Sequence, residues 1–79
     1  MKAKIHITLK SGVLDPQGKA IEGALHNMGF RGVKEVRQGK YIELDLAESD
    51  ATKAKEAAQK MCEGLLANTV VERFKVEVE

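Results

Sequence analysis

Few residues of this chain have side chains that could drive a reaction, and their positions do not form a reactive set. Cys62 is the only cysteine among 79 residues, and it falls within the apolar stripe of a predicted helix. A nucleophilic cysteine needs partial exposure and an electropositive neighbour. We therefore predict that Cys62 is buried and serves packing rather than catalysis.

The two histidines do not predict a metal site. His6 lies on the polar side of a predicted strand, and His26 lies near the end of a predicted helix, where the helix dipole favours a cation. Neither has a cysteine or a second histidine at the spacing that zinc ligands use. The carboxylates are scattered, and no isolated pair indicates an acid and a base of different pKa. We expect no catalytic residues, no cofactor-binding residues and no metal ligands in this chain.

Charge and composition argue against nucleic acid as a partner. Thirteen basic and twelve acidic residues leave a net charge of +1, which creates no strong field towards phosphates or anionic lipid. There is no Trp, one Tyr and two Phe, so few rings are available to stack on bases. Gly29 and Gly32 have the G-x-x-G spacing of a KH clamp, but that clamp joins two helices, whereas this segment should join a helix to a strand.

The remaining composition predicts a small cytoplasmic protein that does not associate with membranes. One cysteine fits a reducing compartment, and neither an apolar run of about 18 residues nor a signal-peptide pattern is present. We expect a single domain over residues 1–79. Ordering it costs about 1.5 kcal/mol per residue, roughly 120 kcal/mol in all, which so small a core barely offsets. Additional burial through self-association is therefore expected.

The first half of the chain predicts a strand followed by a capped helix. Apolar residues alternate with polar ones from residue 2 to residue 10, the period of a strand with one buried face. Asp15 is a helix cap and Pro16 suits the first helical position, while Gly29 can end the helix in a left-handed conformation with Phe30 folding back on Leu25. The apolar positions of this helix predict one buried face: Ala20, Ile21, Ala24, Leu25 and Met28.

The second half predicts a hairpin, a second helix and a last strand. Segments 33–37 and 40–46 flank Gln38 and Gly39, where Gly39 would supply the positive φ of a tight turn. A helix is predicted over 50–66, with Asp50 as its cap. A strand is predicted over 70–79, with Val70 on its apolar face, and Glu72 interrupts the apolar residues of that face. The predicted inner face of the helix comprises Ala54, Ala57, Ala58, Met61, Cys62 and Leu65.

This order, βαββαβ, predicts an α+β protein of the ferredoxin-like plan. Such a plan has an antiparallel sheet with two helices on one face and a polar opposite face. The C-terminal strand would lie at an edge of the sheet, where unpaired backbone groups invite pairing with another copy.

Several blocks of sequence, in order and covering nearly the whole chain, resemble the PurS family. In the first half they are Gly12-Val13-Leu14-Asp15-Pro16-Gln17-Gly18, Ala24-Leu25-His26, Val33, Val36-Arg37 and Gly39-Lys40-Tyr41. In the second half they are Met61-Cys62-Glu63 and Leu65-Leu66-Ala67-Asn68-Thr69-Val70-Val71-Glu72. The length of the match makes it far more specific than the short motifs above.

The resemblance implies the non-catalytic small subunit of phosphoribosylformylglycinamidine synthase, a ligase of purine biosynthesis. In that family the glutaminase PurQ releases ammonia, and PurL uses ATP and magnesium to activate formylglycinamide ribonucleotide and add the ammonia. PurS joins PurQ to PurL and assists ammonia transfer. It forms homodimers and in some cases tetramers, and the resemblance implies no cofactor, nucleic acid or membrane bound by this chain.

Three segments are candidates for subunit contact: 13–18, 37–40 and 67–69. They hold polar and glycine residues without an evident role in the core, and we expect contact through Asp15, Gln17, Gly18, Arg37, Gly39, Lys40, Asn68 and Thr69. The residues alone leave two other classes open, an ACT-like small-molecule regulatory domain and an RNA-binding module. The RNA-binding module predicts exposed aromatic residues on the central strands, where only Tyr41 is available.

Overall fold

The computed structural model describes all 79 residues of the chain. Its elements in chain order are β1 (Lys2–Leu9), α1 (Pro16–Asn27), β2 (Gly39–Asp45), α2 (Ala51–Met61), a π-helical turn (Cys62–Leu66) and β3 (Glu72–Val78).

The three strands form one antiparallel sheet in the order β2-β1-β3. Ile5 in the central strand pairs with Ile42 on one side and with Val76 on the other, so the alternating apolar residues of all three strands share one face. An antiparallel α+β fold with two helices and the C-terminal strand at an edge is confirmed. The sheet has three strands, however, and not the four of the predicted βαββαβ order.

The strand predicted over 33–37 is wrong, because that segment lies beside α1 rather than beside another strand. The Nε2 atom of His26 is 2.7 Å from the carbonyl oxygen of Val33, and Gly18 lies against the carbonyl of Val36. The segment therefore returns along the helix in extended form, and a helix offers it no ladder of backbone hydrogen bonds. We call residues 15–38, which comprise α1 and this returning segment, the helical arm.

The predicted tight turn at Gly39 is also wrong. Gly12 and Gly29 are the residues with positive φ, at 86° and 98°, whereas Gly39 is the first residue of β2. A Cβ atom at Gly39 would overlap the carbonyl of Ile7 and lie 2.8 Å from Cγ2 of Thr8. Close packing of adjacent strands, rather than a turn, accounts for this glycine.

The ends of α1 follow the capping rules that its sequence predicts. Asp15 caps the first turn and Pro16 follows it. At the other end the N–H of Gly29 donates to the carbonyl of His26 at 3.0 Å, and the N–H of Phe30 donates to that of Leu25 at 3.0 Å. These two bonds form a Schellman motif around the left-handed Gly29, as predicted.

The apolar stripe of α1 is exposed, contrary to the prediction of a buried face. Ile21 is 41% exposed and Met28 is 70% exposed, and Ala20 and Ala24 are exposed as well. The cause is that α1 makes no contact with any strand comparable to that of α2. The two helices thus do not share a face of the sheet, and the molecule is elongated, measuring 47 × 25 × 14 Å.

The core lies between α2 and the sheet. This helix is capped by Asp50 and packs on β3 and β1. Cys62 is fully buried, which confirms its predicted packing role. The buried cluster consists of Ala3, Ile5, Ile7, Ala58, Cys62, Ala67 and Val76.

The last turn of the predicted helix over 50–66 is a π-helical turn and not an α-helical one. The α-helix stops at Met61, and the N–H of Ala67 donates to the carbonyl of Cys62 at 2.9 Å, which closes a π-helical turn. A π turn shifts the angular position of the residues that follow. As a result Leu65, which was predicted to lie inside, is 85% exposed. Met61 was also predicted to lie inside, but it precedes the turn and is 39% exposed at the end of the α-helix. Val70, predicted on the apolar face of the last strand, precedes β3 and is 80% exposed.

Candidate functional site

The helical arm meets the sheet at Asp15, whose carboxylate bonds to both ends of the arm. Asp15 is only 6% exposed. Its Oδ1 accepts the N–H of Gly18 at 2.8 Å, and its Oδ2 accepts the N–H of Gln38 at 2.9 Å. The bond from Gln38, then that from Gly18, and the nearby charge of Arg37 lower the pKa of Asp15 despite its burial.

Arg37 makes the complementary connection to the chain before the arm. Its Nη2 donates to the carbonyls of Leu9 and Lys10 at 3.0 and 3.1 Å, and its Nη1 reaches the carbonyl of Val13 at 3.5 Å. One planar guanidinium thus serves the end of β1 and the loop that follows it. We call Asp15, Gly18, Arg37 and Gln38 the junction.

Gly18 permits the close approach on which the junction depends. It is buried, and a Cβ at this position would overlap the carbonyl oxygen of Val36 and lie 2.8 Å from Oδ2 of Asp15. Gly23, one and a half turns further along the same helix, has no atom near its missing Cβ. The predicted close packing of α1 on another segment is therefore present at Gly18 and absent at Gly23.

A cleft of about 490 Å³ opens beside the junction, between the start of α1 and the end of the sheet. Lys40 and Glu72 face each other across it, with Nζ and Oε2 3.5 Å apart. The Glu72 side chain is 14% exposed, and its Oε1 also accepts the N–H of Asn68 at 2.7 Å. Glu72 therefore connects the cleft to the turn before β3, and its bonds compensate for a carboxylate at an otherwise apolar strand position.

The structure brings the eight predicted contact residues to one end of the molecule. Six of them surround the junction and the cleft, and the turn with Asn68 and Thr69 joins this end through Glu72 and through the bond from the N–H of Lys10 to the carbonyl of Val71 at 2.8 Å. Glu72 lies outside the predicted contact segments, and Gln38 lies within segment 37–40 but is not among the eight residues named from the sequence. Glu72 carried a signal, since it interrupts an apolar alternation, whereas Gln38 acts through its backbone and carried none.

The open face of the sheet is covered by paired charges. The rings of Tyr41 and His6 pack at a tilt of 45° with their centroids 5.0 Å apart, and the Tyr41 hydroxyl donates to Oε1 of Glu43 at 2.9 Å. Partial burial and this bond raise the pKa of Tyr41, while the same bond and Lys2 lower the pKa of Glu43. Lys4 pairs with Glu79, which raises the pKa of that lysine. These pairs leave no concentrated charge on the face.

The single cysteine lies in an environment that disfavours its reactive form. Burial raises the pKa of the Cys62 thiol, with a smaller contribution from Glu63, so the thiolate is disfavoured. No three or more His, Cys, Asp and Glu side chains are grouped so that they could hold a metal ion. None of the helices combines the length and the apolar character needed to cross a lipid bilayer.

Comparison with known proteins identifies the family. A sequence model described as PurS, phosphoribosylformylglycinamidine (FGAM) synthase, matches residues 2–79. This chain belongs to the PurS family. The FGAM synthase subunit PurS of Bacillus subtilis is 49% identical over 78 residues, which cover 99% of this chain and 92% of that protein.

Solved PurS structures have the same fold. The crystal structure of PurS from Methanocaldococcus jannaschii matches with a TM-score of 0.89 and 44% identity, over 99% of this chain and 94% of that one. A chain in the structure of PurLQS from Thermotoga maritima matches with a TM-score of 0.87 and 39% identity, over 96% and 93%. The function implied by the resemblance, a subunit of FGAM synthase (EC 6.3.5.3), is thereby confirmed.

Proposed function

We propose that this PurS chain is a connecting subunit that joins the glutaminase PurQ to the synthetase PurL and assists ammonia transfer between them. The complex would convert formylglycinamide ribonucleotide, glutamine and ATP into the amidine, glutamate, ADP and phosphate. ATP and magnesium would be bound by PurL. The observation that supports this role most directly is a chain without a grouped set of reactive side chains but with large apolar side chains exposed along α1 and at the end of α2.

Ammonia transfer gives a connecting subunit a physical task. Ammonia must stay unprotonated to attack an activated substrate, so its path has to exclude bulk water and acidic groups. A subunit can meet this requirement by holding two active sites together without contributing a nucleophile. The exposed apolar and small side chains of this chain suit such close contact.

A homodimer is the state we propose for the free chain. Large apolar residues along the arm are exposed, while Ile42 and Leu44 of β2 are only half-buried because α2 covers β1 and β3. The exposed apolar residues are Ile21, Met28 and Phe30, together with Leu14 just before the arm. A second copy that packs its arm over the uncovered half of the sheet would bury both surfaces at once. Met61, Leu65 and Val70 are also exposed, at and after the end of α2. We propose that they form a separate apolar patch for larger subunits or for a tetramer.

The eight residues at the junction end would contribute to subunit contact in two ways. Gln17, Lys40 and Thr69 are exposed and would touch a partner directly. Asp15 and Gly18 are buried and would shape the surface that the partner meets, and Arg37, Gly39 and Asn68 would do so through their backbone positions and hydrogen bonds. We place the complex in the cytoplasm, where the single free cysteine stays reduced.

Reconstitution tests the connecting role. PurL and PurQ, with and without this chain, are supplied with the ribonucleotide, ATP and either glutamine or ammonium chloride. We expect glutamine-dependent synthesis to fall at least tenfold without this chain and ammonium-dependent synthesis to change little, because only the former needs transfer between subunits. The chain alone should hydrolyse no glutamine. Full glutamine-dependent activity of PurL and PurQ without it would contradict the proposal.

A further inference from the structure

The geometry points to Asp15 and Arg37 as positioning residues that set the angle between the helical arm and the sheet. We propose that they support subunit docking through this angle and not by touching a partner. The docking half of this inference rests on the proposed connecting function, whereas the angle itself is a property of the free chain.

Comparison of the two helix caps shows that Asp15 does more than cap. The Oδ1 atom of Asp50 accepts the N–H groups of Thr52 and Lys53, both within its own helix. Asp15 needs only one oxygen for its cap, at Gly18, and uses the other to bind the backbone of Gln38. That second bond joins the start of the arm to its end.

Arg37, at the end of the helical arm, binds the end of β1 and the loop that leads into α1. Its donors bind carbonyls at the end of β1 and in the loop before α1, a loop that contains Gly12 at a positive φ of 86°. Without a side chain to hold it, such a loop has many accessible conformations. Because α1 makes no contact with a strand of its own chain comparable to that of α2, the junction is the main restraint on the direction of the arm within one chain.

The arm amplifies any movement at the junction. Twelve helical residues make a lever about 18 Å long, so a rotation of about 10° moves its far end by about 3 Å. Interfaces bury side chains in matching pockets, and a mobile arm would lose entropy on docking that a fixed arm has already lost. A loose junction should therefore weaken docking even if every contact residue remains.

Spin labels measure the angle directly. Cysteines introduced at Asn27, at the end of α1, and at Lys75, on the exposed side of β3, carry the labels, and the buried Cys62 stays unlabelled in the folded chain. Labelled chain is diluted with excess unlabelled chain so that the pulsed-resonance distances are intramolecular. Asp15→Ser keeps one oxygen for the cap and loses the bond to Gln38, and Asp50→Ser is the matched control.

We expect the distance distribution to become at least twofold broader in Asp15→Ser and in Arg37→Lys, with unchanged helical circular dichroism. Asp50→Ser should leave the width unchanged. In docking to PurL and PurQ, Asp15→Ser should bind at least tenfold more weakly, whereas Gln17→Ala should weaken binding without broadening the distribution.

Each other outcome overturns a defined part of the inference. An unchanged width in Asp15→Ser, or equal broadening in Asp50→Ser, refutes the positioning role. Broadening with undiminished docking refutes the link between angle and docking. If the unmodified chain does not dock, the connecting function fails, and the width in the free chain still decides the positioning role.

Discussion

Asp15 and Gln38 are 23 positions apart in the sequence, and the carboxylate of the first accepts the backbone N–H of the second at 2.9 Å. The bond joins the two ends of the helical arm. The apolar stripe of α1 is exposed except at the half-buried Leu25. This chain therefore presents a helix away from its own sheet. The predictions below test what holds that helix in place and which surface it contacts.

Removing the Asp15 carboxylate should destabilise the chain more than removing the equivalent cap on α2. Asp15→Ala leaves one buried and one partly buried N–H donor without a partner, while Asp50→Ala exposes its donors to water. We expect the loss in free energy of unfolding to be at least twice as large for Asp15→Ala. Urea unfolding at a fixed chain concentration measures both, and equal losses would show that the bond to Gln38 contributes nothing.

The lowered pKa of Asp15 makes its contribution depend on pH. Because the carboxyl binds its proton more weakly in the folded chain, its contribution is fully present above the unfolded pKa of about 3.9 and disappears as pH falls through the lower folded value. Glu43 has a lowered pKa as well and contributes in the same direction. Thermal unfolding between pH 6 and pH 2.5, at intervals of about half a unit, should show a weaker acid dependence for Asp15→Ser than for the unmodified chain. Parallel curves would contradict this.

Two glycines of α1 should respond to alanine with opposite signs. Gly23→Ala should stabilise by about 0.5–1 kcal/mol, because its missing Cβ faces open space and alanine favours the helix. Gly18→Ala should destabilise by about 1–3 kcal/mol, because the added methyl overlaps the carbonyl of Val36. Chemical denaturation of both variants checks the signs, and stabilisation by Gly18→Ala would mean that the returning segment does not pack there.

Charging the arm should dissociate the homodimer. Met28 and Phe30 are 70% and 55% exposed, so Met28→Glu with Phe30→Glu should leave the fold intact while placing two carboxylates in the proposed interface. We expect the dissociation constant of the dimer, measured by sedimentation, to rise at least tenfold. Leu65→Glu, on the patch near the π turn, is the control that should leave the dimer unchanged. A dimer that survives charging of the arm would place its interface elsewhere.

Alanine at three residues of the junction end should impair assembly. Gln17→Ala, Arg37→Ala and Lys40→Ala together remove two exposed side chains and one positioning residue, and the complex with PurL and PurQ should no longer co-elute on gel filtration. Lys55→Ala on the exposed side of α2 serves as the surface control. Unchanged co-elution of the triple variant would show that subunit contact lies away from this end.

The candidate site was predicted as a set of residues but not as an arrangement. Segments 13–18, 37–40 and 67–69 do meet at one end of the molecule. Residue types alone do not show which of these side chains are buried and which are exposed. Asp15 is buried and Gln17 is exposed, yet both are simply polar residues in the sequence. The partner of Asp15 is a backbone group, and any residue except proline could have supplied it.

The sequence by itself determined the strands of the core and the ends of α1, because alternation, caps and the left-handed Gly29 act over a few neighbouring residues. Only the tertiary structure decided that 33–38 lies along α1 and that α1 leaves the sheet. It also decided that Leu65 points outward after a π turn. These features depend on which surfaces meet across the fold, and a helix with an apolar stripe has the same sequence pattern whether its own sheet or another chain covers it.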